Sequence, residues 1–269
     1  MELRDRVAVV TGGASGIGRA LARRFVAEGA RGVVVADLDG AGAEAVAAQI
    51  GEERALGLAC DVTREADLVD VLARASEAFG PVDLFCANAG IGTGAGLGAA
   101  DELWDRTLAV NVLAHVSAAR LLVPGWIERG EGYFLSTASA AGLVTQIGDA
   151  PYAVTKHAAV AFAEWLAITY GDRGVRVSCL CPMAVDTPLL NLGVGALATE
   201  VVRAAGAVLS PDEVAGAVVE GLRDERFLIL PHPEVLEFVR RKASDYDRWL
   251  AGMRRMQAAV ARSAPAAGG

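Results

Sequence analysis

Short apolar runs alternate along this chain with longer alanine-rich segments of helical pattern, and few folds accept that order. The apolar runs are expected strands: Val7–Val10, Gly32–Ala36, Ala55–Cys60, Val82–Ala87, Gly132–Ser136, Val175–Leu180 and Arg226–Leu230. The helical patterns fall near residues 17–28, 41–50, 65–79, 101–128, 152–171 and 211–222. Nearly continuous apolar strands are typical of a sheet that is covered on both faces. The order predicts an α/β fold, a doubly wound parallel sheet of about seven strands with helices on both faces.

The chain is long enough for one substantial core, with 269 residues, 53% of them hydrophobic, and 31 glycines. It shows no linker, repeat or composition shift, so we expect a single domain over residues 1–262. The segment 263–269 is expected to be disordered. The glycines and the weak pattern of residues 187–209 predict a mobile lid.

Charge and hydropathy exclude two classes of partner. The net charge of −8 argues against a nucleic-acid-binding surface, which needs a basic stripe. No apolar run reaches the roughly 20 residues of a membrane span. The N-terminus enters a strand without a secretory leader. We therefore expect a cytoplasmic protein with no nucleic-acid or membrane partner.

The cysteines lie near the ends of apolar runs and favour buried free thiols in a reducing compartment. They are Cys60, Cys86, Cys179 and Cys181. Cys179 and Cys181 share a strand face, which would suit a metal ion. No second C-x-x-C or histidine pair accompanies them, so we predict no metal site.

A glycine-rich turn, Thr11–Gly18, stands between the first expected strand and the first helix. Gly12, Gly16 and Gly18 would let the backbone turn tightly and approach a pyrophosphate, and the helix N-terminus would attract the phosphates. The strand before, the helix after and a second strand about 20 residues on are the context that this motif requires. We expect a Rossmann-type dinucleotide site here that includes Ile17; the alternative is a plain glycine-rich turn.

Asp37 ends the second expected strand and indicates which dinucleotide is bound. A carboxylate there can accept hydrogen bonds from both ribose hydroxyls of the adenosine half and would repel a 2′-phosphate. Ser15, inside the glycine loop, is not basic and would not attract that phosphate. Both residues favour NAD over NADP. Alternatively, Asp37 only opens the turn that ends at Gly40.

Tyr152 and Lys156 are four residues apart in a helical pattern, so they share one helix face. A nearby ammonium lowers the pKa of a phenol. A phenol that works near pH 7 needs roughly 4 kcal/mol of electrostatic help, which a lysine in a dry cleft, aided by a cationic cofactor ring, could supply. The alternative is an exposed tyrosine beside a solvated lysine.

These residues together resemble the short-chain dehydrogenase/reductase family over roughly residues 5–190. Thr11–Gly18 resembles its cofactor loop, and Asp61 and Val62 resemble the pair that flanks the adenine. Asn88, Ala89 and Gly90 match its N-A-G motif, which borders the cofactor and steadies the sheet.

The resemblance also assigns the catalytic group. Tyr152 and Lys156 match the catalytic pair, and Ser139 matches the serine that hydrogen-bonds the substrate oxygen. Asn111 matches the asparagine that holds a lysine-bound water in the proton relay. Taken alone, Ser139 would read equally well as a strand-end cap and Asn111 as a buried side chain bonded to backbone.

After the sixth strand the pattern departs from the family. Pro182 is followed by Met183, where many members have glycine, so we expect a reshaped pocket with cofactor binding retained. The resemblance places the Thr187 hydroxyl on the cofactor carboxamide, and Pro182 and Val185 complete the expected cofactor site. Thr155 stands where the family often has serine.

The resemblance implies an oxidoreductase that transfers hydride between NAD(H) and a carbinol or carbonyl carbon, with Tyr152 as general acid and base. Two alternatives stay open: a non-catalytic dinucleotide sensor, and an epimerase or dehydratase of the longer branch. The intact set of four catalytic residues argues against the sensor. Only about 80 residues remain after Pro188, where that branch carries a larger substrate domain.

Three segments are expected to line the substrate pocket by fold analogy: Leu143–Ile147, Met183–Leu192 and Ile91–Gly98. Their side chains are mostly apolar and include no arginine or lysine. We therefore expect an uncharged, apolar secondary alcohol or ketone as substrate. The preference for NAD favours alcohol oxidation in the cell.

The remaining expectations concern assembly and local structure. The resemblance implies a homotetramer built through helices 101–128 and 152–171 and through the last strand. Residues 231–256 read as one amphipathic helix that could reach a neighbouring subunit. The helix 101–128 is expected to break or end near Pro124. His157 reads as structural, and His115 is a weaker candidate for a supporting role.

Overall fold

Seven parallel strands form one sheet in a computed structural model that describes residues 1–193 and 196–263. The strands are β1 Val7–Thr11, β2 Gly32–Asp37, β3 Ala55–Ala59, β4 Leu84–Ala87, β5 Gly132–Thr137, β6 Val175–Leu180 and β7 Leu228–Ile229. Their order across the sheet is β3-β2-β1-β4-β5-β6-β7. The doubly wound parallel sheet that the sequence predicts is confirmed.

Helices cover both faces of this sheet. They are α1 Gly16–Ala27, α2 Gly40–Ile50, α3 Glu65–Phe79, α4 Asp101–Leu108, α5 Ala114–Arg129, α6 Ala141–Val144, α7 Ala150–Tyr170, α8 Ala196–Ala205, α9 Pro211–Arg223, α10 Glu234–Ser244 and α11 Tyr246–Ser263. Successive residues of β1 point to opposite faces: Val7 and Val9 pack beneath α3, α5 and α7, and Ala8 and Val10 pack beneath α1, α2 and α9.

The chain changes direction across the sheet between β1 and β4. β1 pairs with β2 on one side and with β4 on the other, and the connections on the two sides run over opposite faces. A crevice therefore opens at the carboxyl ends of β1 and β4, where ligands bind in open sheets of this kind. The segments that follow β1, β4, β5 and β6 all meet at this edge.

The expected break at Pro124 is wrong, because α5 continues through it to Arg129. Pro124 is exposed, so the carbonyl that loses its helical partner can be hydrated. Around it, Leu122, Val123 and Trp126 are buried and hold the helix on the sheet, and Trp126 Nε1 donates to the backbone oxygen of Val82 at 2.8 Å. The irregularity comes earlier, as a π-helical turn at Ala109–Leu113.

The combined helical stretch Asp101–Arg129 is 29 residues long and contains an 18-residue window with a mean hydropathy of 1.4, so by length and composition it could cross a membrane. One of its faces packs on the sheet, and buried core helices pass the same test of length and composition. The expectation that the protein has no membrane partner stays a prediction.

The C-terminal segment forms two helices, so the expectation of one helix over 231–256 is wrong. Asp245 has an extended backbone between α10 and α11, and its Oδ1 accepts from the backbone N–H of Arg248 at 2.9 Å, which starts the second helix. Ser263 ends α11, and residues 264–269 of the expected disordered tail lie outside the described residues.

The segment 187–209 contains a π-helical turn, Leu189–Gly193, and α8. This regular structure was not expected from its weak sequence pattern. Residues 194–195 lie outside the part that the structure describes. The lid role of this segment stays a prediction.

Candidate active site

One large cavity of about 1250 Å³ occupies the carboxyl edge of the sheet. It extends from the glycine loop at one end to α10 and α11 at the other. All but one of the expected site residues line it: Gly12, Ser15, Gly16, Ile17, Gly18, Asp37, Asp61, Val62, Asn88, Ala89, Gly90, Ser139, Tyr152, Lys156, Pro182, Val185 and Thr187. The exception is Asn111.

The glycine loop has the backbone that a phosphate site requires. Gly12 and Gly16 have φ of +65° and +50°, a region that side-chain-bearing residues rarely adopt. A Cβ on Gly18 would collide with the carbonyl oxygen of Gly12. Ser15 precedes α1 without a side-chain capping bond, which leaves the first amides of α1 free of that partner. The loop therefore fits the pyrophosphate of a dinucleotide.

Asp37 holds its carboxylate at the end of β2 through two backbone bonds. Oδ2 accepts from Ala14 N at 3.0 Å, and Oδ1 accepts from Asp39 N at 3.0 Å. The first bond ties Asp37 to the glycine loop, so a negative charge stands at a fixed place on the cavity wall. The alternative interpretation, that Asp37 only opens a turn, accounts for the bond from Asp39 N but not for the bond from Ala14 N.

Asp61 lies farther along the same end of the cavity. Its Oδ1 accepts from the hydroxyl of Thr63 at 2.7 Å and from Thr63 N at 3.0 Å. The hydroxyl bond and then the amide bond hold the pKa of Asp61 below its ordinary value, and Arg106 contributes in the same direction. Arg106 and Asp61 both line the cavity, near enough for the guanidinium to act on the carboxylate.

Asn88 and Thr11 clamp the ends of β4 and β1 together. Asn88 Nδ2 donates to the backbone oxygen of Thr11 at 2.9 Å, and Thr11 Oγ1 accepts from Asn88 N at 3.0 Å and Ala89 N at 3.1 Å. Thr11 Oγ1 in turn donates to Cys86 O at 3.1 Å. These bonds hold the glycine loop against the strand end that carries Gly90.

Tyr152, Lys156 and Ser139 meet on the cavity wall, where all three are buried. Lys156 Nζ lies 5.5 Å from the centroid of the Tyr152 ring and donates to the backbone oxygen of Thr137 at 2.9 Å. The Ser139 hydroxyl lies near enough to the phenol of Tyr152 to lower its pKa, and its Oγ donates to the backbone oxygen of Pro182 at 3.4 Å. Ser139 Oγ also accepts from Ala141 N at 3.1 Å. The expected side-by-side placement of the tyrosine and the lysine is therefore present.

Burial dominates the ionisation of this pair. It raises the pKa of Tyr152 to about 12, against a lowering by the nearby Ser139 hydroxyl, and it lowers the pKa of Lys156 to about 8. In the protein alone the lysine does not make the phenol acidic. A dry site penalises both charged forms, so acidification requires a further positive charge beside the phenol.

Asn111 lies behind the cavity wall, fully buried at 0% exposure, in the π-helical turn. Its Nδ2 donates to Ile91 O at 2.9 Å and to Thr155 Oγ1 at 3.0 Å, and its Oδ1 accepts from Ile91 N at 2.9 Å. It therefore ties the loop after β4 to α7. A Cβ on Gly90 would lie 3.3 Å from both Asn111 Oδ1 and Lys156 Nζ, so these atoms are near neighbours. Its role in a water relay stays a prediction.

The two histidines next to this machinery do not line the cavity. His157 Nδ1 donates to Ala153 O at 2.8 Å, in keeping with the structural reading. His115 Nδ1 lies 3.0 Å from Ser136 Oγ, and burial lowers the pKa of His115 to about 3. The ring therefore stays neutral at ordinary pH.

Cys179 and Cys181 are buried free thiols with their sulfurs 3.7 Å apart. Within the described residues, no group of three or more His, Cys, Asp or Glu side chains is placed to hold a metal ion.

Sequence reasoning missed Asp149, which accepts four hydrogen bonds at the start of α7. Oδ1 accepts from Tyr152 N at 3.1 Å and Thr93 Oγ1 at 2.6 Å, and Oδ2 accepts from Thr93 N at 2.7 Å and Gly94 N at 2.8 Å. The carboxylate joins the loop after β4 to the turn that carries Tyr152. Its signal was available: an aspartate followed within two residues by Pro151 is a helix-start pattern.

His232 was also missed, and it fixes the position that departs from the family pattern. Its Nδ1 accepts from Met183 N at 3.1 Å, and its Nε2 donates to Ala207 O at 3.1 Å. Met183 lines the cavity beside Pro182. No local sequence pattern joins residues that lie so far apart in the chain.

The C-terminal helices complete the far wall of the cavity, which the sequence did not predict. Trp249 of α11 packs against Phe238 of α10 with ring centroids 6.3 Å apart, in a cluster with Val144 and Met183. The cavity residues from these helices are Phe238, Arg241, Ser244, Asp245, Arg248, Trp249, Gly252, Met253, Arg255 and Met256. The pocket is therefore less uniformly apolar than expected.

Known proteins resemble this chain over most of its length. The sequence profile of the short chain dehydrogenase family matches residues 6–192. A relative from Streptomyces exfoliatus, 1-deoxy-11-beta-hydroxypentalenate dehydrogenase, is 39% identical over 248 residues, which cover 87% of this chain and 86% of the relative.

Solved structures give the same result. A short chain dehydrogenase/reductase from Burkholderia phymatum in complex with NAD has a TM-score of 0.84 at 28% identity and covers 92% of this chain and 96% of its own. A 3-ketoacyl-(acyl-carrier-protein) reductase from Brucella melitensis complexed with NADH has a TM-score of 0.77 at 34% identity, with 85% and 96% covered. Both sequence and fold agree with the resemblance drawn from the motifs.

Proposed function

Since this chain belongs to the short-chain dehydrogenase family and is an oxidoreductase, we propose that it transfers hydride between NAD(H) and an apolar secondary alcohol or ketone. One observation carries the proposal. Tyr152, Lys156 and Ser139 meet on the wall of the same cavity whose other end is formed by the glycine loop and Asp37. A dinucleotide bound along the cavity would therefore end beside the phenol.

NAD, rather than NADP, is the proposed cofactor. The fixed carboxylate of Asp37 offers acceptors to ribose hydroxyls and repels a 2′-phosphate. The two solved relatives described above hold NAD or NADH. The glycine loop would hold the pyrophosphate, Asp61 and Val62 the adenine, and Thr187 the carboxamide. Bound NAD supplies the acceptor for the hydride that leaves the alcohol carbon.

Side chains of the protein would accept the substrate proton and support its transfer. Tyr152 takes the proton of the substrate hydroxyl, and Ser139 hydrogen-bonds the same oxygen. Lys156 adds positive charge beside the phenol and would also hold the cofactor ribose. Asn111, close to Lys156, would support a water path to solvent.

An apolar substrate follows from the walls beyond Tyr152. Val144, Ile147, Val201, Val202 and Met253 line this part of the cavity. Relatives that act on hydroxylated compounds, such as the hydroxypentalenate dehydrogenase, support the alcohol. We propose oxidation as the direction in the cell, and the segment 187–209 as the lid that excludes water.

We also propose a homotetramer in the cytoplasm. Apolar side chains stay exposed on the α7 face: Trp165 at 52% and Ile168 at 84%. Leu113, from the neighbouring helix layer, is exposed as well. Exposed apolar patches mark association sites. Buried free thiols suit a reducing compartment.

The direct test incubates the purified protein with NAD and a panel of apolar secondary alcohols and follows the absorbance of the reduced cofactor. We expect turnover with members of the panel and little with NADP. Tight NAD binding without turnover on any alcohol or ketone would support the dinucleotide sensor instead. No binding of NAD would contradict the proposal altogether.

A further inference from the structure

We propose that Arg248 and Arg255 bind an anionic group of the substrate, a carboxylate, at the end of the cavity formed by α11. The inference rests on the proposed function and extends it. The substrate would then be an alcohol with an apolar body that carries one negative charge at a distance from the reacting carbon.

One face of α11 lines the cavity. The six residues involved are Arg248, Trp249, Gly252, Met253, Arg255 and Met256, at spacings of one, three, one, two and one. Trp249, Met253 and Met256 follow a helical period and form an apolar stripe. Arg248 and Arg255 are two turns apart along the edge of that stripe, so two guanidinium groups border an apolar wall.

Arg255 is exposed, and its head group lies beside Gly252 on the cavity-lining face of α11. Gly252 has no side chain, and a Cβ built there would lie 3.8 Å from Arg255 Nη2. The guanidinium therefore folds back along α11 toward the residue that opens onto the cavity. A guanidinium in this position can offer two parallel N–H groups to a carboxylate.

This wall belongs to the substrate end of the cavity. Trp249 shares a cluster with Val144 and Met183, and Lys242 Nζ donates to Leu143 O at 2.7 Å, which fixes α10 against α6. α6 follows directly after Ser139. Asp37 and Asp61 are the residues assigned to the adenosine half. Asp37 ends β2 and Asp61 follows β3, at the opposite side of the sheet.

Two other basic groups on the cavity wall have partners. Arg241 Nε pairs with Glu237 at 2.8 Å, and Lys156 Nζ donates to the backbone oxygen of Thr137. Arg106 lies near enough to Asp61 to help lower its pKa, among the residues assigned to the adenosine half. Within residues 1–193 and 196–263, no carboxylate lies within 4.0 Å of a side-chain nitrogen of Arg248 or Arg255.

One acid lies in the same wall. Asp245 Oδ1 accepts from the backbone N–H of Arg248, so its carboxylate serves the start of α11. Two arginines against one capping carboxylate leave a positive excess in a chain whose net charge is −8. The excess favours a ligand with a negative charge.

The test compares two substrates with one skeleton: an alicyclic hydroxy acid and its methyl ester. The variants are Arg248→Met, Arg255→Met and both together. Arg254→Met is the matched control, because Arg254 is an exposed arginine of the same helix that does not line the cavity. Turnover is measured with NAD. Binding of the corresponding keto acid and keto ester to the NADH complex is measured by calorimetry.

We expect the unmodified enzyme to prefer the acid over the ester by about tenfold or more in kcat/KM, as for charge-assisted hydrogen bonds. The double variant should lose that preference through KM, with the ester unaffected and the control unchanged. The dissociation constant of NAD should stay the same in every variant.

Equal use of acid and ester by the unmodified enzyme would overturn the proposal and leave the proposed function intact. So would variants that keep the preference for the acid. Weaker NAD binding in the variants would assign the arginines to the cofactor phosphates and contradict the proposal. If neither compound is turned over, the proposed function fails for this skeleton, and calorimetry still decides whether the keto acid binds through the two arginines.

Discussion

The ammonium of Lys156 lies 5.5 Å from the centroid of the Tyr152 ring, and both side chains are buried in the cavity wall. Neither group is well solvated there, so each resists its charged form. Burying the two groups therefore has an electrostatic cost in the protein without cofactor. We expect this cost to lower the free energy of unfolding.

Replacing Lys156 by methionine should therefore stabilise the protein at neutral pH. The folded pKa is about 8 against 10.5 for the free side chain. Below pH 8 Lys156 is protonated in both the folded and the unfolded protein. The full cost of burying its charge, up to about 3 kcal/mol, is then present. Between pH 8 and 10.5 the unfolded chain binds more protons, so the stability of the unmodified protein rises with pH.

Urea unfolding without cofactor at pH 7 and pH 10 measures this difference. We expect Lys156→Met to be more stable by about 1–3 kcal/mol at pH 7, after the loss of the bond to Thr137, and by less at pH 10. A stability difference that does not change with pH would contradict the buried, charge-penalised lysine.

Asp37 should control the choice between NAD and NADP. Asp37→Ser removes the charge that faces a 2′-phosphate, and two charges about 4 Å apart repel by about 1–4 kcal/mol. We expect the ratio of kcat/KM for NAD to that for NADP to fall by about tenfold or more. Asp39→Ser, two residues on, is the control. An unchanged ratio in Asp37→Ser would show that this carboxylate does not face the ribose.

Asp149 should position Tyr152 without touching the substrate. Asp149→Ala leaves four donors without their acceptor in a site where Asp149 is 1% exposed, and each buried donor costs about 1–3 kcal/mol. We expect a loss of about 3 kcal/mol or more in the free energy of unfolding. We also expect kcat to fall about a hundredfold as the tyrosine shifts.

The control for Asp149 is Asp39→Ala, which removes one exposed helix cap and should cost about 1 kcal/mol with kcat unchanged. Dissociation of NAD should be the same in both variants. A normal kcat in folded Asp149→Ala would show that the link to the loop after β4 does not position the phenol.

The exposed face of α7 should hold subunits together. Ile168→Glu replaces an apolar side chain that is 84% exposed with a charged one. It should lower the particle mass measured by sedimentation from that of a tetramer to that of smaller species. Val69→Glu, a partly exposed apolar residue on α3, should leave the mass unchanged. An unchanged mass for Ile168→Glu would rule out this face as the interface.

The sequence predicted the sheet, the glycine loop and the pairing of Tyr152 with Lys156, because each of these depends on a local pattern. Nearly continuous apolar strands such as Gly32–Asp37 have few other uses, and the glycine loop has its strand and helix beside it. Tyr152 and Lys156 needed only a helical period to be placed together. For these residues, local order determines position.

The cavity wall formed by α10 and α11 could not be predicted, because it depends on where these amphipathic helices pack. The stripe of Trp249, Met253 and Met256 predicts a buried face but does not say against what it is buried. The pKa of Tyr152 was also beyond the sequence, since burial outweighs the neighbouring charge. The predicted helix break at Pro124 was wrong because Pro124 is exposed, so water can bond the carbonyl that loses its helical partner. That exposure is a property of the fold and not of the local sequence.

The most direct test of the central claim is the turnover of Tyr152→Phe with NAD and an alcohol that the unmodified enzyme oxidises. Tyr133→Phe is the control, a buried tyrosine that bonds to Ser178 away from the cavity. We predict that kcat/KM falls by about 10²–10⁴ in Tyr152→Phe, with NAD binding and folding retained. Turnover within a few-fold of the unmodified enzyme, in a folded protein that binds NAD, would contradict the account.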